Sequence, residues 1–154
     1  MSAQLDTMPR FRRMALADLD AVECIERAVY THPWTRGNFA DSLETGYHCW
    51  VMECGGVLTG YAVVMVAAEE AHLLNLSIAA GWQRRGLGTA LLRFVTGRSA
   101  ESGARTVFLE VRASNAAGRA LYARDGFAEI GVRRDYYPAA GGRESAVTME
   151  KKLS

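Results

Sequence analysis

Between an apolar run that closes near residue 79 and an apolar helical pattern that opens at Leu87 lies the segment Gln83-Arg84-Arg85-Gly86-Leu87-Gly88. Glycines at a strand-to-helix turn let the backbone approach a ligand, and the first amides of a helix lack intrahelical acceptors, so the natural occupant is an anion. Arg84 and Arg85 add positive charge at the same end. A nucleotide P-loop is excluded, because GxxxxGK needs a lysine and the chain has none before Lys151. A dinucleotide fingerprint would need a glycine where Leu91 stands, although Glu110 falls near the place of that fold's acidic residue. A tight turn with no ligand is also compatible with these residues.

Two further side chains could move protons. Glu110 lies in the apolar run 106–111, where a period of two sets it on the face of Phe108 and away from Val107, Leu109 and Val111. A carboxylate there is costly unless paired or used, and Arg105 and Arg112 are the sequence-adjacent partners. Tyr122 sits beside Leu121 in a helical pattern and reads from periodicity as a core tyrosine. Asn115, at the head of that pattern, is a natural N-cap. Cys24, Cys49 and Cys54 are odd in number and form no CxxC, and His32, His48 and His72 show no HExxH spacing, so no metal is expected.

The elements that must position these groups follow from periodicity. Strands are expected over 11–14, 48–54, 57–68, 71–79, 106–111, 127–134 and 146–151, with a hairpin at Gly55-Gly56. Helices are expected over 16–30, with Leu19, Val22, Ile25, Ala28 and Val29 as the apolar stripe, over 35–43 with Thr35 as cap, over 87–103, and over 115–125 closed by Gly126. A meander that passes into strand, helix, strand, helix, strand predicts an α+β domain with a mixed sheet. A chain of 154 residues with 49% hydrophobic and 23% charged residues suits one domain, residues 1–154, and excludes a disordered tail or a rod. The longest apolar run, 57–68, is far short of the roughly 18 residues that span a bilayer, and Asp6 interrupts the amino terminus, so no membrane segment or secretory signal is expected and the cytoplasm is the default location.

Charge is unevenly spread. Residues 18–53 hold seven acids against Arg27 and Arg36, while residues 83–124 hold eight arginines against Glu101 and Glu110. Either both runs are solvated helix faces, or the second holds an anionic ligand and the first steers a cationic partner. The net charge of +1 gives no general drive toward nucleic acid.

QRRGLG matches the QxxGxG acyl-CoA signature of the GNAT family of N-acetyltransferases, and the element order resembles that fold along nearly the whole chain. LEVRASNAAGRALYARDGF over 109–127, RRDYYP over 133–138 and HPW over 32–34 resemble the GNAT members that acetylate an amino-terminal alanine of a small-subunit ribosomal protein. The resemblance implies a mostly antiparallel twisted sheet of about seven strands flanked by about four helices, with its two central strands splayed. It implies acetyl-CoA as cosubstrate, with Leu76, Ser77 and Ile78 along its pantetheine arm, Arg84, Arg85, Gly86, Leu87, Gly88 and Thr89 at its pyrophosphate, and Asn115 as a further contact. It implies Glu110 as general base acting through water, Tyr122 as general acid, and Trp34, Tyr136 and Tyr137 along the peptide. Lysine side chains or a small amine as acceptor, and an acyl-CoA sensor without turnover, are the alternatives. The departures from the family pattern are Ser77 in place of alanine, Gly118 inside the last helix, and Gly141 and Ser145 where acids are common.

Overall fold

The structure is a computed structural model describing residues 8–153. Seven strands, β1 (Pro9–Arg13), β2 (His48–Cys54), β3 (Val57–Ala67), β4 (Glu70–Ile78), β5 (Thr106–Arg112), β6 (Ala128–Ala139) and β7 (Gly142–Lys152), form one sheet in the order β1-β2-β3-β4-β5-β7-β6. Four α-helices, α1 (Leu19–Val29), α2 (Arg36–Thr45), α3 (Leu87–Glu101) and α4 (Ala116–Arg124), accompany it. The β4–β5 pair is parallel, whereas β1–β2, β2–β3, β5–β7 and β6–β7 are antiparallel, so the sheet is mixed as expected. The β4–β5 register runs from Glu70↔Thr106 to Leu73↔Leu109; β4 continues to Ile78 and β5 to Arg112 beyond it.

Backbone contacts divide the chain into two compact units. The first comprises residues up to Val64 together with Asn75–Val95, and the second Met65–Leu74 together with residues from Thr96 on.

In the first unit local chemistry sets the turns. Gly55 and Gly56 both take positive φ (59° and 79°), the requirement of a two-residue hairpin whose twist matches its strands. Thr35 Oγ1 accepts from Asn38 N and Asn38 Oδ1 accepts from Thr35 N, a reciprocal cap worth about 1 kcal/mol that starts α2, and Gly46 at φ 89° ends it. The expected helix over 16–30 is divided: a single 3-10 turn, Leu16–Asp18, precedes α1. Leu19 and Val22 bury against Phe39, Val51, Tyr61 and Val63 in the core, and the third buried residue of α1 is Glu26.

The second unit corrects one expectation. The strands foreseen over 127–134 and 146–151 are the long hairpin β6–β7, joined at Ala139↔Gly142. Pro138 argues against a strand by sequence, but β6 is a sheet edge and a proline that donates no ladder bond is tolerated there. The register slips between Arg133 and Tyr137, where Asp135 takes φ 52°, and pairing resumes beyond it.

Candidate active site

In the first unit the buried end of β4 carries Leu76, Ser77 and Ile78. Tyr30 Oη donates to the Leu76 carbonyl at 3.1 Å, and Gln83 Nε2 donates to the Ile78 carbonyl at 3.0 Å. Ser77 Oγ lies 2.8 Å from Asn75 Oδ1 and 2.9 Å from Tyr30 Oη and donates to one at a time. Burial raises the Tyr30 hydroxyl above its ordinary value, which keeps it a donor. The turn that follows holds Arg84 at φ 64° and Gly86 at φ 79°. α3 then begins at Leu87, with Ala90 N donating to Gly86 O at 3.1 Å as its first closing bond. Such a turn gathers backbone N–H groups and the helix dipole at one end, a concavity for an anion. Arg85 is steadied there by its bond to Gly81 O at 3.2 Å and by the Trp82 ring, 5.0 Å from its guanidinium carbon. A pyrophosphate fits this donor set.

Trp34, in the same unit, is half-buried with its ring 5.2 Å from Phe39. Its backbone N–H donates to Glu26 Oε2 at 2.9 Å. Within the acidic run Asp20, Asp41 and Glu44 are exposed, as on a solvated face, and Glu26 is the buried member; Asp18 and Glu53 pair with Arg12, and Asp20 with Arg36.

In the second unit the alternation of β5 holds. Val107, Leu109 and Val111 are buried, and Phe108, Glu110 and Arg112 are half-buried on the other face. The partner of Glu110 is neither Arg105, which faces Glu69, nor Arg112, which faces Glu144. It is Arg133, whose Nε stands 3.1 Å from Glu110 Oε2. The alignment makes no hydrogen bond, and among the described residues Glu110 Oε2 is the buried side-chain polar atom left without one. A desolvated carboxylate oxygen that accepts nothing is costly, and such cost gathers at working sites.

Tyr137 is held over the same neighbourhood. Arg112 stacks 4.6 Å from its ring, donates to Pro138 O at 2.7 Å and pairs with Glu144 at 3.0 Å. Burial, then the negative charge of Glu110, pushes the Tyr137 hydroxyl up to about 12. Tyr136 is exposed and packs edge-on to Tyr137 at 4.9 Å. Tyr122, on α4, is half-buried with its ring 5.8 Å from Phe127. Asn115 caps α4, its Oδ1 accepting from Gly118 N at 2.9 Å.

The first unit therefore brings together Trp34, Leu76, Ser77 and Ile78 through polar side chains and holds the glycine turn, and the second brings together Glu110, Tyr137 and Arg133 and holds Asn115 and Tyr122 on α4. Sequence reading missed Tyr30 and Gln83 as donors to β4, Glu26 as the anchor of Trp34, and Arg133 as the partner of Glu110. Glu26 alone had a local signal, since it continues the stripe of Leu19 and Val22 at i+7 and i+4. No three His, Cys, Asp or Glu side chains gather in metal-holding geometry among the described residues.

A glycine turn opens α3 in the first unit, and a parallel β4–β5 pair stands among antiparallel pairs in the second, features of a mixed α/β transferase fold. The chain belongs to the acetyltransferase (GNAT) family, which it matches over residues 19–127. It is 39% identical over 137 residues to the [ribosomal protein bS18]-alanine N-acetyltransferase of Escherichia coli K12, an alignment covering 89% of this chain and 93% of that one. The enzyme of the same name from Salmonella typhimurium is 36% identical over 141 residues, 92% of this chain and 95% of its own. The crystal structure of the ribosomal-protein-S18-alanine N-acetyltransferase from Escherichia coli superposes with a TM-score of 0.89 at 37% identity, covering 96% and 95% of the two chains. An acetyltransferase of Salmonella typhimurium solved with its cofactor acetyl-CoA shares the fold at a TM-score of 0.78 and 21% identity, over 95% of this chain and 94% of that one.

Proposed function

We propose that this chain transfers an acetyl group from acetyl-CoA to the amino-terminal alanine of a small-subunit ribosomal protein. In this reading residues 1–154 act as one acetyltransferase domain, working in the cytoplasm where ribosomal proteins are made. The observation that carries the chemistry is the buried Glu110 oxygen that accepts no hydrogen bond. The acceptor is supported by the relatives named for alanine acetylation, which align over about nine tenths of the chain.

When bound, acetyl-CoA supplies an acyl group activated as a thioester. Arg84, Arg85 and the amides of Gly86 to Thr89 hold its pyrophosphate, the backbone of Leu76, Ser77 and Ile78 holds its pantetheine arm, and Asn115 contacts it from α4. Glu110 takes a proton from the incoming ammonium through a water molecule, freeing the lone pair that attacks the acyl carbon. Tyr122 gives its hydroxyl proton to the departing sulfur as the carbon–sulfur bond breaks, and the second proton, lost by the newly acylated nitrogen, restores the phenol, so charge balances. Trp34, Tyr136 and Tyr137 line the peptide. An α-amine is the easier acceptor, because its pKa near 8 against about 10.4 for lysine lowers the cost of deprotonation by about 3 kcal/mol.

The test is mass spectrometry after mixing the protein with acetyl-CoA and two peptides, one with a free amino-terminal alanine, the other blocked there and containing lysine. One acetyl mass on the free peptide alone is expected. Labelling confined to the blocked peptide makes lysine the acceptor, and coenzyme binding without transfer to any amine makes the chain a sensor. Glu110→Gln and Tyr122→Phe should each lower kcat by about 10²- to 10⁴-fold, and full activity in either removes that residue from the chemistry.

A further inference from the structure

Glu26 takes no part in the proton transfers above, yet its side chain is the most heavily bonded buried acid in the first unit. It is 2% exposed. Its Oε1 accepts from Tyr61 Oη at 2.7 Å and from Asn75 Nδ2 at 3.1 Å, while Oε2 accepts from Trp34 N at 2.9 Å. One carboxylate therefore joins three segments distant in sequence: the loop between α1 and α2, strand β3 and strand β4. Asn75 passes the link on to Ser77, and Tyr30 completes it at the Leu76 carbonyl. Burial, then the charge of Glu26, holds the Tyr61 hydroxyl far above its ordinary value, so Tyr61 stays a donor at any working pH. The loop residues Thr31, His32 and Pro33 are exposed, and the bond from Trp34 N to Glu26 is what ties the end of that loop to the interior.

We propose that Glu26 is a positioning residue for the acceptor peptide: its two oxygens fix the loop at Trp34 against strand β4 at Asn75, and so set the peptide side of the site. This rests on the peptide-acetylating function proposed above. A buried carboxyl group whose two oxygens accept from three donors is rigid, because loss of any one leaves a buried polar group with an unmet hydrogen bond. Glu26→Gln separates the two jobs. An amide has one acceptor oxygen, which serves best facing Tyr61 and Asn75, and its NH₂ then opposes the Trp34 N–H, donor against donor. The loop contact is the one that breaks. Tyr61→Phe removes a donor from the other oxygen and leaves the loop contact in place.

The experiment compares wild type, Glu26→Gln and Tyr61→Phe by thermal unfolding, by hydrogen exchange of the Trp34 amide in NMR spectra, by coenzyme A titration calorimetry, and by steady-state kinetics with an alanine-terminated peptide. Glu26→Gln should speed Trp34 exchange and raise the peptide KM about tenfold, with coenzyme Kd within about twofold of wild type. Tyr61→Phe should lower the melting temperature with little change in KM or Trp34 exchange. An unchanged KM in Glu26→Gln, or an equal rise of KM in Tyr61→Phe, overturns the proposal as mere structural support. Failure of wild type itself to acetylate the peptide defeats the proposed function, and the positioning role with it, in an arm where no substitution is present. If Glu26→Gln does not fold, Glu26→Asp, which keeps both acceptors on a chain one carbon shorter, is measured and judged in the same way.

Discussion

Gly118 is the third residue of α4, within its first turn, and glycine inside a helix costs up to about 0.8–1.0 kcal/mol relative to alanine. Gly118→Ala should therefore stabilise, but a Cβ built there would stand 2.6 Å from Asn115 Nδ2 and 2.9 Å from Asn115 Cγ. The clash is with the end of a flexible side chain, so Asn115 swings away and the cap bond from Gly118 N to Asn115 Oδ1 is lost, at a cost of about 1 kcal/mol. Gain and loss nearly cancel, and the single substitution should change stability by less than about 0.5 kcal/mol. Asn115→Ala alone should cost about 1 kcal/mol, and adding Gly118→Ala to it should recover nearly all of that, because the obstacle is gone. The cycle thus predicts a coupling of about 1 kcal/mol, measurable by urea unfolding of the four proteins. Coenzyme A affinity should fall in Gly118→Ala despite its unchanged stability, since Asn115 is displaced from its proposed contact. Additive stabilities, with Gly118→Ala gaining about 1 kcal/mol in both backgrounds, would refute the reasoning.

Other consequences are open to simpler measurements. Tyr137 is raised to about 12 by burial and then by Glu110, and Tyr30 and Tyr61 are raised chiefly by burial. Their stabilising effect is complete below the unfolded tyrosine value near 10 and is lost as pH rises through the folded values, so stability should drop steeply above about pH 10. Ultraviolet titration should show these tyrosines still protonated when exposed ones have ionised, and a single transition near 10 for all six would contradict it. Cys24 is exposed while Cys49 and Cys54 are buried, and burial pushes the Cys49 thiol up to about 11. An aromatic disulfide reagent should titrate Cys24 alone in the native protein and all three thiols in denaturant. Gly60→Ala should destabilise by about 1–3 kcal/mol, because the new Cβ would meet the Ser77 carbonyl oxygen and Ile78 Cδ1, each at 2.8 Å, and backbone cannot swing aside; an unaltered urea midpoint would show that the strands give way freely.

What the sequence disclosed depended on how far apart the interacting residues lie. The cap of α2 joins Thr35 to Asn38, the first hairpin needs only Gly55 and Gly56, and both are visible in a window of a few residues. The period of β5 likewise foretold which side of the strand Glu110 would take. Partners escaped where folding, not spacing, makes the pair. Arg133 reaches Glu110 through the β5–β7–β6 ladder, while the neighbours Arg105 and Arg112 are drawn to Glu69 and Glu144. Asn75 meets Glu26 across 49 positions of chain. The length of β6 was hidden by Pro138 and by the slip at Arg133; the proline is tolerated because β6 is an edge strand, and edge position is a property of the assembled sheet.

That edge has its own bearing on how the protein behaves in a crowded solution. β6 ends the sheet, is exposed over most of its length, and shows Ile130 and Val132 to water, the features by which one strand recruits another from a neighbouring molecule. Its ladder, however, slips between Glu129 and Gly131 and again between Arg133 and Tyr137, leaving paired runs of 128–129, 131–133 and 137–139. Pro138 withholds a donor from the last run, and Arg133 and Arg134 place charge beside the middle one. A strand arriving from another molecule would find no more than three consecutive positions in register, so these irregularities weaken the longest strand of the sheet as a template for pairing.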